Sequence, residues 1–246
     1  APFDDRADPK EAVNVANLIV SDSRIIAVVG HYNSGCAIPA AKVYARAGIP
    51  MISPAATNPE VTRQQMSSDW VGPKIVFRVV PTDDVQGSEA ARFIHGKLGK
   101  RRVAMLHDKS PYGQGLAEEF KKTFLSLGGK LSSEDGISIG DKDFKALLTR
   151  IKSADPEGVY FGGLYTEAGL IVKQMRELGM KAAFFSGDGA KTPGLFDVAG
   201  EAADGAYLTI VGIPVELLPS AQKFMSDYKA RWTGSSEEIK PFDHFG

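Results

Sequence analysis

Short apolar runs alternate with longer amphipathic stretches along almost the whole chain, and this alternation limits the fold more than any single motif. "IIAVVG" (25–30), "IPMIS" (49–53), "VFRVV" (76–80), "RVAMLHD" (102–108), "GVYFGGL" (158–164), "AAFFSGD" (182–188) and "GAYLTIVG" (205–212) read as strands, with "KLSSEDGIS" (130–138) a weaker one. Most are almost continuously apolar, as strands covered on both faces must be. The stretches between them read as helices. The first is capped by Asp8 with Pro9 at its opening position; the others span 35–47, 84–98, 112–127, 143–153, 165–179 and 220–232. Strands alternating with helices predict an α/β fold with parallel sheets flanked by helices.

Composition narrows the function. With 43% hydrophobic residues, 24% charged residues and a formal net charge of −1, the chain lacks the basic face that nucleic-acid binding requires. No apolar run nears the roughly 18 residues of a membrane span, so direct membrane insertion is not expected. Cys36 is the single cysteine, and His31, His95, His107 and His244 share no ligand spacing, so neither a metal nor a disulfide is expected. No cofactor motif is present: there is no P-loop lysine, and "GQG" (113–115) sits within a helix start rather than at a strand–helix turn. "HYNSG" (31–35) lacks the first glycine of a nucleophile elbow. The chain is therefore read as a binding protein and not an enzyme.

Ligands of open α/β sheets bind beyond the carboxyl ends of the strands. Those ends carry Tyr32, Asn33 and Ser34 after the first strand and Ala55, Ala56 and Thr57 after the second. Tyr112 follows the fourth, Leu164 closes the "GVYFGGL" run, and Asp188 closes "AAFFSGD". Hydroxyls and exposed N–H groups near helix starts suit a carboxylate, a carboxylate suits an ammonium, and a tyrosine gives an apolar wall with a polar tip. Together they fit a zwitterionic amino acid. Plainer roles are equally open to single residues: Ser34 and Thr57 as helix caps, Asp188-Gly189 as a turn, Tyr112 as packing, His31 and His107 as hydrogen-bonded strand-end histidines. Spacing alone points to a site at the strand ends without choosing its ligand.

The stretches "VVGHYNSGCAIPAAKVYARAGIPMISPAATNPEVT", "HDKSPYGQGLAEEF", "VYFGGLYTEAGLIVKQMRELGM" and "FFSGDGAKTPGLFDVAGEAADGAYLT" resemble those of the branched-chain amino-acid-binding proteins of ABC transporters, which have the type I periplasmic binding-protein fold. The resemblance implies two Rossmann-like lobes, 1–81 plus 213–246 and 82–212, joined by crossings near "VVPTDD" (79–84) and "IVGIPVE" (210–216). It implies a chain incomplete at both termini, a mature protein of the periplasm or cell exterior, a free amino acid as ligand and a membrane permease as partner. A sensor, or a binder of an amide, short peptide or aromatic acid, is the alternative. By position, Ser34 matches the serine that meets the ligand carboxylate, and Ala55, Ala56 and Thr57 match the family's "AAT". Tyr112 matches a tyrosine that closes over the ligand, and Phe242 a pocket wall. Asp188 stands where leucine-binding members have a glutamate, and Leu164 where they have an aromatic residue. Ala7 and Asn33 occupy positions that form a disulfide in some members, so that bridge is lost.

Overall fold

The computed structural model describes residues 1–214 and 217–232. Asp8 caps α1 (Pro9–Ser21), its carboxylate accepting the N–H groups of Lys10 and Glu11. There follow β1 (Val28–Val29), α2 (Ser34–Ala47), β2 (Met51–Ser53), α3 (Glu60–Arg63) and β3 (Val76–Arg78). The chain then runs through α4 (Asp83–Arg92), β4 (Arg102–His107), α5 (Pro111–Ser126), β5 (Lys130–Gly136), α6 (Lys145–Ser153) and β6 (Gly158–Gly162). It continues with α7 (Tyr165–Glu177), β7 (Ala183–Ser186), α8 (Pro193–Ala199), β8 (Tyr207–Leu208) and α9 (Gln222–Trp232).

These strands form two sheets, both wholly parallel among the described residues: β1-β2-β3, and β5-β4-β6-β7-β8. The continuous apolar runs are explained by the larger sheet. Val103 and Met105 of β4 and Tyr160 of β6 face a core with Leu116, Phe120 and Phe124 of α5. The alternate residues Ala104, Leu106, Val159 and Phe161 face a second core with Leu148, Ile171 and Val172. Helices on both faces leave no polar position in the strand centres. Phe120 stacks on Tyr160 with ring centroids 3.9 Å apart, and burying each such ring contributes roughly 2–3 kcal/mol. The smaller sheet packs Met51 and Val76 against Ala16, Ala37, Ala41 and Tyr44.

Two strands are shorter than their apolar runs. The 25–30 run yields β1 at Val28–Val29, and 205–212 yields β8 at Tyr207–Leu208. Among the described residues each lies at the end of its sheet and pairs with one neighbour, so few residues complete ladder bonds. The helix expected over 84–98 begins one residue earlier, at Asp83, and its last turn, Phe93–Lys97, widens into a π-helical turn. The short helices α3 and α8 were not anticipated; α3 is capped by Pro59 and α8 opens on Pro193. Residues 79–82 run from β3 in the small sheet to α4, which packs on α5 of the large one.

Candidate functional site

The loop after β2 is built to present main chain. Ser53 Oγ donates to His31 O (2.8 Å) and accepts the Ala56 N–H (3.0 Å), tying the ends of β1 and β2 together. Arg78, at the end of β3, donates to Ala56 O (3.2 Å), Asn58 O (2.9 Å), Pro59 O (3.0 Å) and Thr62 Oγ1 (2.5 Å). One guanidinium thus fixes the loop from 56 to 62, as its planar array of donors allows. Burial lowers the Arg78 pKa, while Asp83 and Asp84 raise it.

Neither Ser34 nor Thr57 is a helix cap. Asn33 occupies the cap of α2, with Ser34 as its first residue, and α3 begins after Pro59. Ser34 Oγ instead accepts the Asn58 N–H at 3.2 Å, which joins the first two strand ends.

The facing side comes from the large sheet. Ser110 caps α5 and Pro111 starts it, placing Tyr112 in the first turn. The Tyr112 hydroxyl donates to Asp188 Oδ1 (2.8 Å) and accepts the Gly189 N–H (2.9 Å). Burial, then Asp188 and Asp83, push the Tyr112 pKa well above its ordinary value, so the hydroxyl stays a donor. Two glycines seat this turn. A Cβ on Gly113 would lie 2.4 Å from Gly162 O, and one on Gly162 would lie 2.1 Å from Gly113 O. A Cβ on Gly189 would lie 2.8 Å from Tyr112 Cε1. Asp188-Gly189 does form a turn, since Asp188 O accepts the Lys191 N–H at 2.8 Å, but its carboxylate also holds Tyr112.

The two sides touch. Asn58 Nδ2 donates to Pro111 O at 2.6 Å, and the Asp83 N–H donates to Thr57 O at 3.0 Å. Between them lies a cavity of about 20 Å³ lined by Tyr32, Asn33, Ser34, Ala55, Tyr112, Leu164, Asp188 and Gly189. That is room for about one water molecule, so the two sides must part to admit anything larger. Seven of the ten residues singled out from sequence therefore meet at one point. Ala56 and Thr57 lie just behind the wall, each 1% exposed, and Phe242 lies outside the described residues. Larger hollows occur on the sheet faces, one of about 630 Å³ beside β8 (Val85, Phe93, Tyr207) and one of about 590 Å³ beside β1 (Phe3, Val28). Neither joins polar groups from both sheets.

Sequence reasoning missed two residues. Arg78 was visible as a lone charge in the apolar "VFRVV". Asp83 is wholly buried behind Thr57, and burial above all, with Asp188 and Asp84 adding to it, pushes its pKa up to about 7 against the opposing pull of Thr57 and Arg78. His31 is the hydrogen-bonded strand-end histidine expected, paired with Asp5 Oδ2 (2.6 Å) and Tyr44 OH (2.9 Å). Cys36 is buried and free, its thiol pushed up to about 12 mainly by burial.

Parallel α/β sheets whose carboxyl ends meet across a small polar cavity define the two-sheet, type I class of periplasmic binding proteins. The chain belongs to the periplasmic binding protein family, whose model matches residues 1–240. It is 45% identical over 206 residues to Leu/Ile/Val-binding protein homolog 1 of Brucella suis, covering 84% of this chain and 53% of that protein. It is 39% identical over 208 residues to the leucine-, isoleucine-, valine-, threonine- and alanine-binding protein of Pseudomonas aeruginosa, covering 85% and 54%. The chain thus spans about half the length of the curated relatives it matches. Among solved structures, a leucine-binding protein of Thermotoga maritima superposes with a TM-score of 0.84 at 33% identity, covering 93% of this chain and 63% of that one. The branched-chain amino-acid transporter substrate-binding protein of Streptococcus pneumoniae, in complex with isoleucine, gives 0.82 at 29%, covering 94% and 64%. The family's description places its members in the periplasm, as the resemblance implied.

Proposed function

We propose that this chain is the solute receptor of an ABC importer: it clamps a free small amino acid between two lobes and presents the closed form to a membrane permease. It works by binding, without turnover. The observation that carries this reading is the pairing of two opposite kinds of group on one cavity. Ser34 and the main chain at Ala55 offer a hydroxyl and N–H groups for a carboxylate; Asp188, across the cavity, offers a carboxylate for an ammonium. The relatives named for leucine, isoleucine and valine support the same class of solute. The lobes are 1–81 plus 213–246 and 82–212, joined by crossings near 81–83 and 212–214. Ala56 and Thr57 support the carboxylate side from behind.

Closure follows from the contacts. A solute that touches both lobes only when they meet shifts the population toward the closed form. Asp188 is one methylene shorter than the family's glutamate, so it reaches the ammonium at closer approach or through a water. Thermal stability measured against amino acids, the matching decarboxylated amines and the matching deaminated acids tests the reading. Only the amino acids should raise the melting temperature strongly. Equal shifts from the deaminated acids would replace the zwitterion with a simple carboxylic acid.

A further inference from the structure

Behind the Tyr112–Asp188 pair lies a group of buried polar side chains with few partners among the described residues: both side-chain polar atoms of Gln86 and the Tyr160 hydroxyl have none, and the Asp83 carboxyl has only the neighbouring Thr57 hydroxyl to draw on. All four residues are at least nine-tenths buried. They are contiguous with the candidate site. The Asp83 N–H is bonded to Thr57 O, and Gln86 is three residues along the same helix, on the same face. A Cβ on Gly187 would lie 2.8 Å from the Tyr112 hydroxyl and 3.3 Å from Gln86 Oε1, so Gln86 reaches the back of the Asp188 turn. Asp83 and Asp188 both act on Tyr160, raising its pKa further above what burial alone does.

Native interiors leave few polar groups unsatisfied, so a group of them beside a binding cavity calls for an explanation. The charge balance is as uneven as the hydrogen bonding. The charged and titratable groups that face Asp83 are Arg78 from β3, Asp84 from α4, Tyr112 from α5, Tyr160 from β6 and Asp188 after β7. Arg78 is the one cation among them, and its guanidinium is committed to four oxygens of the 56–62 loop. Asp83 is thus a desolvated carboxyl beside a second one, Asp188, with Arg78 as the one cation that acts on it among the described residues.

We propose that Asp83 is a second carboxyl of the ammonium pole: a positioning residue that acts on the bound amino acid through Thr57 and Asp188 and gives up a proton as the ammonium settles. The inference rests on the amino-acid reading above. The exchange balances simply. Before binding, the Asp83 carboxyl holds a proton; the solute brings one positive charge; the proton leaves to solvent, and the Asp83 carboxylate remains beside the ammonium. A positive neighbour favours the charged form of a carboxyl, and by linkage the proton it expels ties affinity to pH. Burial and Asp188 hold the Asp83 pKa near 7 before binding, so affinity should rise as pH climbs from 6 to 8 and level off above that.

Calorimetry of the full chain with leucine, isoleucine, valine, alanine and threonine, in two buffers of different ionisation enthalpy, counts the protons exchanged. For whichever amino acid binds, the expected result is release of a substantial fraction of a proton at pH 6.5, vanishing at pH 8.5, with affinity rising about three- to tenfold from pH 6 to pH 8. Asp83→Asn should still bind while losing both the release and the slope. The wild-type proton count needs no variant. Tight binding without proton release, or unchanged release in Asp83→Asn, overturns the inference and leaves the amino-acid reading standing. Failure of every amino acid to bind at any pH overturns that reading, and this inference with it.

Discussion

The two sides of the cavity are made of different materials. The β1–β2 side is main chain and hydroxyl, locked by Ser53 and Arg78 into one shape. The β4–β7 side is side chain: Tyr112 leaning on Asp188, with a buried acid behind. Main-chain dipoles do not titrate, so on the reading proposed above the first side would hold a carboxylate with little dependence on pH. The second can respond to the charge of what arrives. On that reading, the groups common to all amino acids would be met by main chain and discrimination would fall to side chains.

Neutralising the buried acid should have the largest effect. Asp83 has a folded-state pKa near 7, above the unfolded value of about 3.9, so folding holds its proton. Stability from this group is fully present below pH 4 and is lost as pH rises through 7. Asp83→Asn should therefore be more stable than wild type at pH 8, by up to roughly 4 kcal/mol, with the advantage shrinking toward pH 4. Urea midpoints at the two pH values check it; equal midpoints would mean the second side stores no charge strain.

Next in size is the lock on the first side. Arg78→Ala strands three carbonyls and should cost about 3 kcal/mol in denaturant unfolding, with Arg78→Lys restoring only part because one ammonium cannot reach the same spread of acceptors. This loss should grow modestly from pH 6 to pH 8, because Arg78 also holds down the pKa of Asp83, which titrates in that range. A loss independent of pH would mean that the lock and the buried acid are uncoupled.

The smallest of the three separates the sides by ligand. Losing a charge-assisted contact costs roughly 1.5–3 kcal/mol, so Asp188→Ala should weaken amino-acid binding at least about tenfold. Affinity for the corresponding deaminated acid should hold. Unchanged calorimetric affinity for the amino acid would remove Asp188 from the ammonium pole.

The central strands were legible because burial on both faces writes a run of apolar residues, as β4 and β6 show. The edge strands were over-read, since Val29 and Ile26 are apolar yet more than four-fifths exposed, and an apolar run does not say how many neighbours a strand has. Candidate site residues were legible where they follow a strand end, as Ser34, Tyr112 and Asp188 do. Asp83 was hidden because an acid in the first turn of a helix looks like an ordinary dipole partner. Only the packing of α4 under Thr57 reveals that it is buried.

Gly113 and Gly162 meet where neither could carry a methyl group. The helix that bears Tyr112 thus lies on the end of β6 at backbone-to-backbone distance, and the tyrosine inherits the rigidity of the sheet. When the two sides part, Tyr112 and Asp188 should travel as one jaw, already set, with no arm left to swing.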